Sequence, residues 1–242
     1  VAFAEGEEEK SIRAACAFLN LGFGTPILIG REDRINAKME NLGLPFFDGM
    51  EIHNAKLSTA TESYMDFLYE RLQRKGILRR DCQRMVNQDR NVFAACMVAA
   101  GDADGMVTGL TRNYHVALDE ITRVLDPKPD SRVFGLSLLL GRDRTLFVAD
   151  TAVCELPTSE QLADFAQQTA AVARQMGHEP RVALISFSNF GNPALPRSEI
   201  VSEAVKVLDL RQANFEYDGE MGVDVALNPE LMAHYPFCRL TG

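Results

Sequence analysis

Three stretches of this chain place small polar residues, glycines and charges where apolar runs stop. The first holds Thr108, Gly109, Arg112, Asn113 and Tyr114. The second runs Ser186-Phe187-Ser188-Asn189-Phe190-Gly191-Asn192, and the third is Asp218-Gly219-Glu220, continuing to Asp224. Such residues offer hydroxyls and backbone N–H groups to a ligand. Strands of one parallel sheet end on the same side, so the three stretches are expected to converge on one crevice. Polar residues also follow strands in ordinary satisfied loops, so the pattern alone leaves both readings open. The arginines Arg71, Arg74, Arg79, Arg80 and Arg84 could meet a phosphate or simply form a solvated helical face.

Spacing excludes more specific chemistry. Gly22-Phe23-Gly24 lacks the third glycine of a dinucleotide fingerprint and stops a helix where that motif starts one. No P-loop pattern occurs. Asp102-Ala103-Asp104-Gly105 starts like a calcium loop but has no glutamate at the required distance. His53, His115, His178 and His234 stand alone, so no metal site is expected. Ser186 and Ser188 have no histidine partner at a nucleophile elbow, so serine catalysis is not supported.

The elements that must position these stretches follow from hydrophobic spacing. Residues 1–4 read as a strand, followed by Glu5-Gly6-Glu7 and a helix marked by Ile12, Ala15, Cys16 and Leu19. Residues 26–29 read as a strand and 35–42 as a helix, whereas 45–61 looks irregular. Helices follow over 64–72, 79–88 and 92–100, then a tight turn, a short buried strand at 106–108 and a helix over 116–125. Asp126-Pro127-Lys128-Pro129-Asp130 is the linker candidate, dividing a first lobe, 1–128, from a second, 129–242. In the second, 133–140 and 145–149 flank Gly141-Arg142-Asp143-Arg144 as a hairpin. Thr158-Ser159-Glu160-Gln161 is a capping box opening a long helix. A strand at 181–185, apolar enough to be covered on both faces, a helix over 198–208 and a strand at 215–217 complete the pattern. This alternation implies an α/β fold, a parallel or mixed sheet with flanking helices.

Composition bounds the partners. The 242 residues carry a net charge of −9 with no long basic block, which argues against nucleic acid. No apolar run approaches the roughly 18 residues of a membrane span, and no secretory leader is visible. Cys16, Cys82, Cys96, Cys154 and Cys238 are scattered without a C-x-x-C pair, pointing to a reducing cytoplasm.

Several motifs then resemble one family in order along the whole chain. They are Phe3-Ala4-Glu5-Gly6-Glu7-Glu8-Glu9, the run from Gly101 to Gly109, Asp150-Thr151-Ala152, the run from Glu179 to Ser188, and Asp218-Gly219-Glu220-Met221-Gly222-Val223-Asp224. All resemble the phosphate acetyl/butyryltransferase family. That resemblance implies a two-lobed, isocitrate dehydrogenase-like fold with the active cleft between lobes, usually dimeric. It also implies a domain extending past Gly242, so the chain is expected to be C-terminally incomplete, returning to the first lobe beyond that point.

Departures from the family pattern matter as much. An arginine and proline expected in a D-T-x-R-P pattern fall on Asp119 and Glu120. An E-L-R-x-x-K-G pattern is matched loosely around Arg71. The S-T-K-G loop reads Ser188-Asn189-Phe190-Gly191, without its lysine, and the C-terminal catalytic residues of the family would lie beyond Gly242. With Ser-Phe-Ser-Asn-Phe-Gly and Thr-Arg-Asn-Tyr, the chain looks like the phosphotransacetylase-like C-terminal domain of bacterial NADP-dependent malic enzymes. The resemblance implies a catalytically silent, cytoplasmic domain that senses acetyl-CoA, a small-molecule CoA ester. NADP and a divalent metal would act only in the absent malic-enzyme half. That half and further copies in a homo-oligomer, dimer or higher, would be its partners. The expected ligand residues are Arg71, Thr108, Gly109, Arg112, Asn113, Tyr114, Ser186, Ser188, Asn189, Gly191, Asn192, Asp218 and Glu220. An active phosphate acetyltransferase is the competing expectation.

Overall fold

The computed structural model describes every residue except Phe46, Phe47, Asp130, Asp143 and Gly242. Asp130 of the expected linker and Asp143 of the expected hairpin turn therefore lie outside the described residues. The chain divides into two compact units, one from Val1 to Asp126 and one starting at Pro127.

The first unit contains β1 (Ala2–Phe3), α1 (Glu9–Asn20), β2 (Ile27–Ile29), α2 (Glu32–Asn41) and β3 (Glu51–His53). It continues with α3 (Thr61–Leu72), α4 (Arg79–Gln88), α5 (Arg90–Ala100), β4 (Met106–Val107) and α6 (Tyr114–Thr122). Its strands form one parallel sheet in the order β3-β2-β1-β4. Side-chain alternation along the strands explains the layers. Phe3 and Leu28 join Ile12, Cys16, Ile35 and Met39 in a cluster with α1 and α2. Ala2, Ala4, Ile27 and Ile29 join Tyr64, Leu68, Val86 and Phe93 in a cluster with α3, α4 and α5. The sheet is thus sandwiched between helices, and each fully buried Leu, Ile or Phe contributes roughly 1.5–3 kcal/mol. Asp89 caps α5 by accepting from the N–H groups of Asn91 and Val92.

The second unit contains β5 (Leu136–Leu140), β6 (Thr145–Ala149), α7 (Ser159–Gln175), β7 (Arg181–Ile185), α8 (Pro196–Leu210), β8 (Glu216–Met221), α9 (Val223–Leu227) and α10 (Pro229–Met232). Strands β5 and β6 form the expected antiparallel hairpin, whereas β7 and β8 pair in parallel. Thr158 and Gln161 form the capping box that opens α7.

Four expectations are corrected. The three polar stretches do not follow strands of a single sheet: β4 belongs to the sheet of the first unit, and β7 and β8 to the two-stranded sheet of the second. The stretch 45–61 is not wholly irregular, since β3 pairs with β2; its single apolar residue between Glu51 and His53 was too short a signal. Asp218, Gly219 and Glu220 lie inside β8, not at its end. Finally, β4 and β7 are less covered than their apolar sequences suggest. Val107 is 51% exposed on the last-ordered strand of its sheet, and Ile185 is 45% exposed.

Candidate functional site

In the first unit one buried carboxylate organises the polar loop after β4. Glu5 accepts from the backbone N–H groups of Gly109 at 2.9 Å, Leu110 at 2.6 Å and Thr111 at 2.8 Å, and from the Thr111 hydroxyl. Burial opposes its charge, but the hydrogen bonds from Thr111, Leu110 and Gly109 outweigh that and hold its carboxyl below the ordinary range. Gly109, at φ 104, takes a backbone conformation that a side chain would strain.

A second network fixes the far side of this loop. Thr108 donates to Asn91 Oδ1 at 2.5 Å, and Asn91 donates to Glu120 Oε2 at 2.8 Å. Arg112 donates to Asp89 at 2.5 Å and also to Glu120. Burial and the neighbouring Asp89 raise the Glu120 carboxyl above its ordinary value, against the pull of Asn91 and Arg112. Arg112 is therefore matched by two carboxylates within its own unit. Arg71 is likewise engaged: Asp126 takes it in a two-pronged ion pair at 2.6 and 2.5 Å, and Nε donates to the Arg123 carbonyl. Asn113 caps α6 through the His115 N–H, and Tyr114 packs edge-on against His115.

In the second unit the same device recurs. Glu220 is buried in β8 and its Oε1 accepts from the Ser188 hydroxyl at 2.6 Å and the Gly191 N–H at 2.9 Å. Asn189 Oδ1 accepts from the Gly222 N–H at 2.7 Å, and Asn189 and Asn192 bridge the loop on itself. The Ser186 N–H donates to the Met221 carbonyl. Asp218, also buried, accepts from the N–H groups of Gly219 and Arg239. Ser188 is wholly buried, which is incompatible with attack on a substrate. After β6, Asp150 accepts from the N–H groups of Gly135, Ala152, Val153 and Cys154. Burial opposes its charge too, yet those four bonds lower its carboxyl.

Gly191 and Glu220 border a cleft of about 290 Å³ with Ser198, Ser202 and Lys206 of α8. Sequence reasoning missed these three, although their spacing of four residues puts them on one helical face. It also missed Glu5 and Asp150 as anchors, whose signal is an acid within two residues of a strand's end. Among the described residues no group of three His, Cys, Asp or Glu side chains could hold a metal ion, and no helix is long and apolar enough to cross a membrane.

Comparison with known proteins now bears on this arrangement. The family model described as phosphate acetyl/butaryl transferase matches residues 1–242. The chain belongs to this family. An NADP-dependent malic enzyme of Rhizobium meliloti is 56% identical over the whole chain, which spans only 32% of that protein. A phosphate acetyltransferase of Clostridium acetobutylicum is 31% identical over 96% of the chain and 72% of that enzyme. A phosphotransacetylase structure from Streptococcus pyogenes aligns with all of the chain and 74% of its own, with a TM-score of 0.86 at 25% identity.

Two residues that the resemblance sets at cation positions, Asp119 and Phe190, have other contacts in this structure. Asp119 is exposed on α6 and paired with Arg123 one turn on. Phe190, at φ 48, packs its ring tilted against Tyr235 at 5.2 Å and edge-on against Phe237 at 5.0 Å, beside the small apolar cluster of Met221, Val225 and Met232.

Proposed function

We propose that this chain is a regulatory, catalytically silent domain that binds acetyl-CoA within an NADP-dependent malic enzyme. The observation carrying this reading is Phe190. Where the family pattern has a lysine, an apolar ring is packed among Tyr235 and Phe237, and Asp119 stands where an arginine is expected. An acid and a packed ring cannot clamp acetyl phosphate; the acid repels it. The loops themselves are kept in order by Glu5 and Glu220, which supports binding without turnover.

In this reading the polar loop at 108–114 receives the thioester and pantetheine end of the ligand. The fold is taken as isocitrate dehydrogenase-like, the protein as cytoplasmic and the assembly as a dimer or higher. Malate oxidation, with its NADP and divalent metal, falls to the part of the parent outside this chain. Acetyl-CoA regulates it by binding one conformational state better than another.

The competing reading is an active phosphate acetyltransferase, favoured by the 31% identity to the Clostridium acetobutylicum enzyme. Calorimetry of the full-length protein with acetyl-CoA, beside an assay of acetyl-CoA formation from acetyl phosphate and CoA, separates the two. Binding without turnover is expected. Robust turnover overturns the regulatory reading.

A further inference from the structure

Glu7 lies in the turn after β1, two residues past Glu5, and its carboxylate gathers three arginines from α5, α2 and the residue before α2. Arg31 donates its backbone N–H at 3.0 Å and its Nε at 3.4 Å to Oε1. Arg90 Nη2 stands 3.0 Å from the same oxygen, and Arg34 Nη1 donates to Oε2 at 3.4 Å. Two glycines permit this approach. A Cβ on Gly6 would lie 2.7 Å from the Ile29 backbone nitrogen, and one on Gly30 would lie 2.8 Å from the Glu7 Cγ. Burial opposes the charge on Glu7, but the Arg31 N–H and the nearby Arg90 and Arg31 cations hold its carboxyl below the ordinary range.

The charge balance here differs from that around other arginines. Arg112 faces both Asp89 and Glu120, and Arg211 faces both Glu160 and Asp164. Arg31, Arg34 and Arg90 instead share one carboxylate, leaving two positive charges unmatched within the cluster. Of the acids two residues from Glu7, Glu5 is taken up by the N–H groups of the loop after β4 and Glu9 pairs with Arg13. Glu32 and Asp33 follow Arg31 in the first turn of α2, but among the described residues neither forms an ion pair with Arg31, Arg34 or Arg90. The three arginine side chains are 44%, 57% and 35% exposed, and each carries five guanidinium donors, more in total than one carboxylate can take. The cluster sits where β1 and β2 end, at the carboxyl edge of the parallel sheet. Helix α2 begins there with no side chain capping its N-terminal N–H groups, adding a partial positive charge.

We propose that Arg31, Arg34 and Arg90 form a binding site for a phosphoryl dianion, a phosphomonoester or a diphosphate, with Glu7 gathering the three guanidinium groups. The dianion matches the two unbalanced charges, and planar guanidinium forks suit phosphate oxygens. Such groups occur in free inorganic phosphates and in the nucleotide end of a CoA ester. The proposal stands without the acetyl-CoA reading.

The test is calorimetry on the full-length protein with inorganic pyrophosphate and with adenosine 3′,5′-bisphosphate. Wild type is compared with Arg34→Gln, exposed enough to be tolerated, and with Arg34→Gln/Arg90→Gln. At least one anion is expected to bind wild type, with affinity dropping about tenfold per arginine removed and weakening with salt. Arginine-dependent binding of pyrophosphate alone supports the site and assigns a free anion. Arginine-dependent binding of the bisphosphate supports it and assigns a nucleotide end. Equal affinities in wild type and both variants, or no binding of either anion to wild type, overturn the proposal. Acetyl-CoA in the same cell keeps the two readings apart. If it fails to bind while the anions bind arginine-dependently, the regulatory reading falls and the site stands. If it binds while the anions do not, the reverse holds.

Discussion

Ser188 donates its hydroxyl proton to Glu220 Oε1 at 2.6 Å with both side chains buried. The pair ties the loop between β7 and α8 to β8, so the loop's shape depends on a carboxyl group held within the sheet. Removing the hydroxyl leaves that carboxylate with the Gly191 N–H and one donor fewer. Ser188→Ala is therefore expected to lower stability by about 1–3 kcal/mol, measured by urea unfolding. Serine is restored in function by Thr only if the extra methyl fits, so Ser188→Thr is a stringent companion.

Two buried glutamates give opposite pH limbs. The folded Glu5 carboxyl lies below the ordinary 4.5, so its contribution is present above that pH and is lost as pH falls through the folded value. Glu120 lies above 4.5; its protonated form is favoured, and stability is lost as pH rises from 4.5 through its folded value. Thermal melts across this range should show a shallower acid loss in Glu5→Gln than in wild type. Glu120→Gln should show a smaller loss on the rising side. Parallel curves for all three proteins would mean that neither group titrates differently on folding.

Gly6→Ala should destabilise the first unit by about 1–3 kcal/mol or more, because the added Cβ meets the Ile29 backbone at 2.7 Å. Gly105→Ala is the control. Nothing lies within 4 Å of a Cβ there, and its φ is not left-handed. Denaturation midpoints of the two variants should separate clearly.

Asp119→Arg should raise affinity for acetyl phosphate, read by calorimetry on the full-length protein, with little change in melting temperature. The residue is exposed and loses only an i,i+4 pair with Arg123, a contact of about 0.3–0.5 kcal/mol. No gain in affinity would mean that position 119 does not correspond to the family arginine.

Much of the fold was legible because it rests on local signals. The apolar stripe of α1, the capping box before α7 and the hairpin of β5 and β6 are written in adjacent residues. The strand β3 was not, since a three-residue strand with Glu51 and His53 at its ends acquires its identity from pairing with β2. The site divides the same way. Polar loops at 108–114 and 186–192 could be read as clusters of small residues, but their anchors could not. Glu5 reaches across more than a hundred residues to Thr111, and Glu220 reaches back to Ser188. Asp218 and Glu220 read as a polar strand end because sequence alone cannot tell a buried acid with donors from an exposed one.

Strand β4 contributes only two residues to its sheet, paired with Ala2 and Phe3. The loop that follows takes its path mainly from three backbone N–H groups on Glu5, which any residue but proline supplies. Gly109, at its left-handed φ, and Thr108, Thr111 and Arg112, with their side-chain partners, are held to type, whereas the exposed Leu110 can be exchanged at little cost to folding. The route of the loop is thus written in main-chain donors, and Leu110 is the position where its outer surface can change without rerouting it.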